Sequence, residues 1–123
     1  MQQIKINLEL NHIDPSRYSL VLSDVFEQVP SGQKYDVIFA NPPYIAETGK
    51  DSFVEDAVRD YEPHGALFAS DAGMKLVART LREVKDFLTP AGKLYMEHSD
   101  EQVGAIMALL SAQGVSRYAF KKD

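Results

Sequence analysis

The chain contains no cysteine in its 123 residues, which excludes disulfides and thiolate metal sites and fits a reducing compartment. Its seven glycines are scattered, so neither a Gly-x-Gly turn nor a P-loop pattern occurs. No apolar run approaches the roughly 18–20 residues needed to span a membrane, and Met1-Gln2-Gln3-Ile4-Lys5 lacks a signal-peptide apolar core. A basic surplus is also missing. The net charge of −5 argues against a broad nucleic-acid footprint, which needs clustered Lys and Arg to release phosphate counterions. What remains, at 45% hydrophobic and 25% charged, is ordinary globular material of single-domain length, without repeats or linkers.

Helical and strand-like periods alternate along that material. Residues 4–11 read as the end of a helix closed by the Asp14-Pro15 turn, and residues 18–22 as a short buried strand. Residues 35–40, Tyr-Asp-Val-Ile-Phe-Ala, read as a second, buried strand. The pattern breaks down from Ala46 to Ala69, which suggests a functional loop with a short helix near residues 53–59. Asp71 is placed to cap a helix whose buried stripe is Met74, Val77, Leu81, Val84 and Leu88, stopped by Pro90 and Gly92. Residues 94–98 predict a third strand. Asp100 predicts the cap of a helix with Val103, Ile106, Met107 and Leu110 on one face, ended by Gly114. Residues 115–120 predict a fourth strand, and the whole specifies an α/β fold with a mostly parallel sheet.

The stretch with the most chemistry is Asn41-Pro42-Pro43-Tyr44, directly after the second strand. Two successive prolines donate no backbone hydrogen bonds and cannot continue a central strand. The strand must therefore end at Asn41, leaving the Asn side-chain oxygen and the Pro42 carbonyl as acceptors at its carboxyl edge. A planar NH2 group offers two donors in matching geometry, and Tyr44 supplies a ring to stack on its flat face. Ligands of open α/β sheets sit outside the carboxyl ends of the strands, where this motif falls. A plain turn after a strand is the competing reading. The apolar strand before the motif and the aromatic after it outweigh that reading.

These residues carry a resemblance. Asn41-Pro42-Pro43-Tyr44 resembles the substrate-amide motif of S-adenosyl-L-methionine-dependent methyltransferases that modify an exocyclic or amide nitrogen. The ordered set that follows resembles release-factor glutamine N5-methyltransferases of the HemK type. It comprises Val58-Arg59, Glu62-Pro63, Ala66-Leu67, Ser70-Asp71-Ala72-Gly73, Leu88-Thr89-Pro90-Ala91-Gly92 and Glu97-His98. The resemblance covers nearly all of the chain. Ser70, Ala91 and Ser99 depart from it, since glycine is common there, and this bears on loop geometry more than on chemistry.

The resemblance implies a partial Rossmann-like methyltransferase fold, incomplete at both ends, with residues 1–123 forming the C-terminal part of one catalytic domain. The family's glycine-rich cofactor turn and ribose-binding acid would precede Met1, and its last strand would follow Asp123. On that basis the chain alone is expected to be inactive and to bind cofactor weakly. The strands present would be the family's third to sixth, of which only the fourth and fifth are neighbours. Unpaired buried backbone groups cost about 1–3 kcal/mol each, against a typical total stability of about 5–15 kcal/mol. The apolar edges at residues 18–22 and 115–120 are therefore expected to recruit other strands or a second copy.

The resemblance further implies roles for single residues. Asn41 and Pro42 would be the catalytic pair, and Asn41, Pro42, Pro43 and Tyr44 would bind substrate. Asp24, Val25 and Asn41 would meet the cofactor, S-adenosyl-L-methionine, although Asp24 reads equally well as a turn aspartate. The implied partner is a peptide chain release factor in the cytoplasm, methylated at the glutamine of its Gly-Gly-Gln loop. Arg59 reads better as a surface residue, Glu62 equally as a loop glutamate, and His98 better as a structural histidine. His12 and His64 lie in separate segments without ligand spacing, so no metal site is expected. Three alternatives stand beside this reading. They are a ribosomal-protein glutamine methyltransferase, an adenine-N6 methyltransferase, and a non-catalytic fragment unable to bind cofactor.

Overall fold

The computed structural model describes residues 1–43, 45–46, 68–69 and 74–122. It divides into two compact units, Met1–Ser31 and Gly32–Asp123.

The first unit opens with helix α1, Gln2–Leu10. Its end is closed by backbone bonds and by the Asn11 side chain, whose Nδ2 donates to the Asn7 carbonyl at 2.8 Å. His12 adopts φ +53°, its N–H donates to the Glu9 carbonyl (3.0 Å), and the Ile13 N–H donates to Leu8 (3.0 Å). This is the left-handed closure usually given to glycine. Asp14 then caps the 3-10 turn Pro15–Arg17 by accepting from the Ser16 N–H at 2.9 Å. Ser16, through its backbone N–H and then its hydroxyl, holds the Asp14 carboxyl below its ordinary value. The strand expected over residues 18–22 is not formed. That run is irregular, with Val21 and Leu22 45% and 78% exposed. A strand exists only as part of a ladder, and no described segment pairs with this one.

The second unit carries the sheet. Strand β1, Tyr35–Ala40, forms as the sequence predicts, and it runs parallel to β4, Leu88–Met96. Short strands β2, Ile45–Ala46, and β3, Phe68–Ala69, pair in parallel as a second two-stranded sheet. Helices α2, Met74–Glu83, and α3, Val103–Ala112, cover one face of the β1–β4 pair. Val77 and Ile106 are 0% and 2% exposed and pack with Leu81 and Leu110, against which Leu94, Met96 and Phe120 are half-buried. The architecture is α/β and parallel, compatible with part of a Rossmann-like methyltransferase sheet. The expected neighbour relation, residues 35–40 beside the strand read over 94–98, is the one found, although that strand runs from Leu88 to Met96 and stops two residues short of His98.

Several expectations need correction. The strand over 35–40 was expected to be buried, yet Val37 is 47% and Phe39 80% exposed, and the Phe39 ring stacks on Tyr95 at 5.2 Å. Parallel strands are usually apolar on both faces because both are covered. Here only one face is covered among the described residues. The stripe through Leu88 does not stay helical. α2 ends at Glu83, a 3-10 turn spans Val84–Asp86, and the Phe87 carbonyl accepts the Tyr35 N–H at 2.8 Å, drawing Leu88 into the sheet. Ser99, not Asp100, caps the turn into α3. Its side chain accepts from the Gln102 backbone, and the Gln102 side chain accepts from the Ser99 N–H at 3.1 Å.

Gly114, at φ +71°, closes α3 as expected, with the Val115 N–H donating to Leu110 at 2.9 Å. The run 115–120 beyond it is irregular rather than a strand, again for want of a described partner. The helix expected near residues 53–59 and the Asp71 cap lie outside the described residues.

Pro90 and Gly92 serve a bulge inside β4. Tyr35 pairs with Leu88 but Val37 pairs with Lys93, so residues 89–92 oppose Asp36 alone. Thr89 Oγ1 donates to the Asp36 carboxylate across it (2.9 Å). A Cβ on Gly92 would sit 2.8 Å from the Tyr35 carbonyl oxygen and 3.0 Å from the Thr89 nitrogen. Gly92→Ala is therefore expected to destabilise the second unit by about 1–3 kcal/mol, the usual cost of overpacking. A urea midpoint unchanged in the variant would contradict this.

Candidate functional site

The motif residues sit where the β1–β4 ladder stops. The last ladder bond is the Glu97 N–H donating to the Ala40 carbonyl at 3.0 Å, which sets Glu97 beside Asn41 at the carboxyl ends of both strands. Pro42 is buried and Pro43 half-buried, while Asn41 is exposed. Burying the proline ring at a strand end fixes the backbone that carries its carbonyl, because φ is already locked. The arrangement is an exposed amide side chain followed by two anchored residues that donate no N–H. Tyr44, Arg59, Glu62 and His64 lie outside the described residues.

An open groove beside the ladder end is lined by Asn41, Glu97, His98 and Phe120 among others. His98 is held from two sides. Its Nδ1 donates to the Ser99 carbonyl at 3.0 Å, and its ring meets Phe120 edge-on at 5.2 Å. That placement fits the structural role read for it. Lys122 pairs with Asp100 at 2.9 Å on the surface, and that hydrogen bond and charge raise the lysine above its ordinary value. In the sequence Glu97 reads as part of the resemblance and as lying at a strand end, without a site role. Its registry with Asn41 needs the strand pairing, which no local signal encodes.

Asp24 and Val25 belong to the first unit. Asp24 is exposed and Val25 half-buried. The Asp24 carbonyl accepts the Glu27 N–H at 3.2 Å, closing a turn in which Val25 has φ +54°. A β-branched residue in the left-handed region costs of order 1–3 kcal/mol and persists only where its surroundings impose it. This pairing suits an adenine edge, since a carboxylate accepts from an exocyclic amine and an isopropyl group packs on a ring. Sequence reasoning missed the residues that hold this turn, Ser23 and Gln28. Their spacing of five carries no recognised signature.

Among the described residues no three His, Asp or Glu side chains cluster as a metal site requires. Nor is any described helix long and apolar enough to cross a membrane.

Comparison with known proteins gives a consistent result. The chain is 40% identical over 90 residues to a release factor glutamine methyltransferase of Francisella tularensis subsp. tularensis, covering 73% of this chain and 31% of that protein. It is 32% identical over 108 residues to one from Bordetella pertussis, covering 88% of this chain and 39% of the relative. A bifunctional methyltransferase of Rickettsia typhi is 35% identical over 88 residues, covering 72% of this chain and 17% of the relative. The chain thus spans well under half the length of these curated relatives. No family model matches it, and no solved structure matches it.

Proposed function

Because the chain belongs by sequence to the release factor glutamine methyltransferases, we propose that it carries the substrate-amide element of an enzyme that methylates a release-factor glutamine at N5. The substrate would be the glutamine of a Gly-Gly-Gln loop, met in the cytoplasm, and the cofactor S-adenosyl-L-methionine. The observation that supports this most is the anchored segment at the end of β1, with Asn41 exposed beside a buried Pro42.

An amide nitrogen is a poor nucleophile because its lone pair is delocalised into the carbonyl. Asn41 Oδ1 and the Pro42 carbonyl each accept one of its two N–H groups. So held, the amide plane cannot rotate, its lone pair stands perpendicular to that plane, and the proton lost on methylation leaves to solvent. Orientation of this kind contributes roughly 7–11 kcal/mol to lowering a barrier, which explains much of a rate without a general base. The cofactor, when bound, supplies an electrophilic methyl group on a sulfonium. Asp24 would accept from its adenine amine, Val25 would pack on the ring, and Asn41 would border the methyl end. Pro43 shapes the turn, and Tyr44 would stack on the flat amide.

The test is methyl transfer to a release factor by the full polypeptide that carries this segment, set against a release factor whose loop glutamine is replaced by alanine. Methylation of the first and not the second is expected. Tyr44→Ala should raise KM about tenfold with little change in kcat, since stacking acts on ground and transition states alike. Transfer to both release factors would sink the assignment of substrate.

A further inference from the structure

The left-handed Val25 lies at the second position of the Asp24–Glu27 turn, where φ is +54°. Turns with positive φ at that position are dominated by glycine, asparagine and aspartate, so valine does not hold the conformation by its own preference. Something else must. Gln28 Oε1 accepts the Asp24 N–H at 2.9 Å, and the Gln28 N–H donates to Ser23 Oγ at 3.0 Å. One residue therefore grips the turn at both ends, its side chain on Asp24 and its backbone on the residue before. The Val29 N–H donates to the Phe26 carbonyl at 3.0 Å, so the backbone just beyond the turn is also fixed. Strained residues of this kind concentrate at ligand clamps, where the strain is retained because the presented groups are needed together.

Resting on the functional reading above, we propose that Gln28, with Ser23, is a positioning residue for the adenine end of S-adenosyl-L-methionine. It holds the left-handed turn that presents the Asp24 carboxyl and the Val25 side chain as one surface. Gln28 acts through Asp24 and Val25 and meets no reacting atom. Without its side chain the bond from the Asp24 N–H to Gln28 Oε1 is lost, and Val25 relaxes toward ordinary negative φ. The carboxyl and the isopropyl group then no longer converge on one ring.

The experiment is calorimetric titration of S-adenosyl-L-methionine and of free adenosine into the full polypeptide carrying this segment, with amide hydrogen exchange read at Asp24. Gln28→Ala is expected to weaken both ligands about tenfold, near what one hydrogen bond contributes. Exchange at the Asp24 amide should quicken, and the melting temperature should hold. In a Val25→Gly background, where positive φ carries no penalty, the same substitution should weaken binding far less. Unchanged affinity in Gln28→Ala, with binding lost in Asp24→Ala, overturns the clamp and leaves the functional reading intact. Unchanged affinity in both variants, or no binding by the unsubstituted protein, overturns the clamp together with the cofactor contact. A fall in melting temperature without a change in affinity, or a loss undiminished in the Val25→Gly background, overturns it too.

Discussion

Asn41→Ala is expected to lower methyl transfer by about 10²–10³ while leaving the thermal melt unchanged. The size follows from removing one preorganised acceptor at a reacting centre, a loss of about 3–4 kcal/mol in the transition state. The specificity follows from the structure. Asn41 is exposed and lies beyond the last ladder bond, so its side chain contributes nothing to the core. The measurement is turnover of a release factor beside a melt of the same preparation, in the full polypeptide carrying the segment. Near-normal turnover in a folded variant would reduce the motif to a strand-ending turn, and the proposed function would fall with it.

Ile106→Ala is expected to have the opposite profile, a cost of about 2–5 kcal/mol in stability. Ile106 is 2% exposed and packs with Val77, Leu81 and Leu110. Those neighbours belong to two helices pinned against β4, so the cavity left behind cannot collapse. Met107, next in sequence but 43% exposed, is the control, and its alanine variant should stay within about 0.5 kcal/mol. Urea midpoints of the two variants decide it. Equal shifts would mean that α3 does not bury the face assigned to it.

What the sequence made legible was local. Residues 35–40 form the strand read from them because an apolar run and two prolines define both its extent and its end. Val77 and Leu81 of α2 and Ile106 and Leu110 of α3 are buried as their spacing predicts, whereas Met107, read onto the same face, is 43% exposed; Gly114 closes α3 because positive φ suits glycine. The parallel pairing of β1 with the strand to Met96 came from the resemblance rather than from periodicity.

Errors arose where an outcome depends on a distant partner. Residues 18–22 and 115–120 have strand-like composition but no described neighbour to complete a ladder. Leu88 continues the helical stripe by spacing, yet the bond from Tyr35 to Phe87 claims that backbone for the sheet. At the candidate site, Asn41 and its prolines were legible because their chemistry is in their side chains and rings. The turn at Asp24 was only half legible. Nothing local announces that a valine will adopt positive φ, or that a glutamine four residues from Asp24 will reach back to its N–H. His12 illustrates the same limit, taking the helix-closing position that composition would assign to glycine.

The two prolines after β1 also act as an end-stop on how the strands zip together. Sliding β1 by one residue turns its inward side chains out, so the smallest slip that keeps Ile38 and Ala40 inward is two residues. A two-residue slip toward the chain's end would seat Pro42 where Ala40 now pairs with Met96, and proline offers that ladder no N–H. The alternative alignment is thus penalised by the covalent structure of the motif itself, before any ligand is present. The same two rings that end the strand also guard the sheet against misassembly in that direction. A proline-to-alanine change at position 42 would restore an N–H there and lift that penalty.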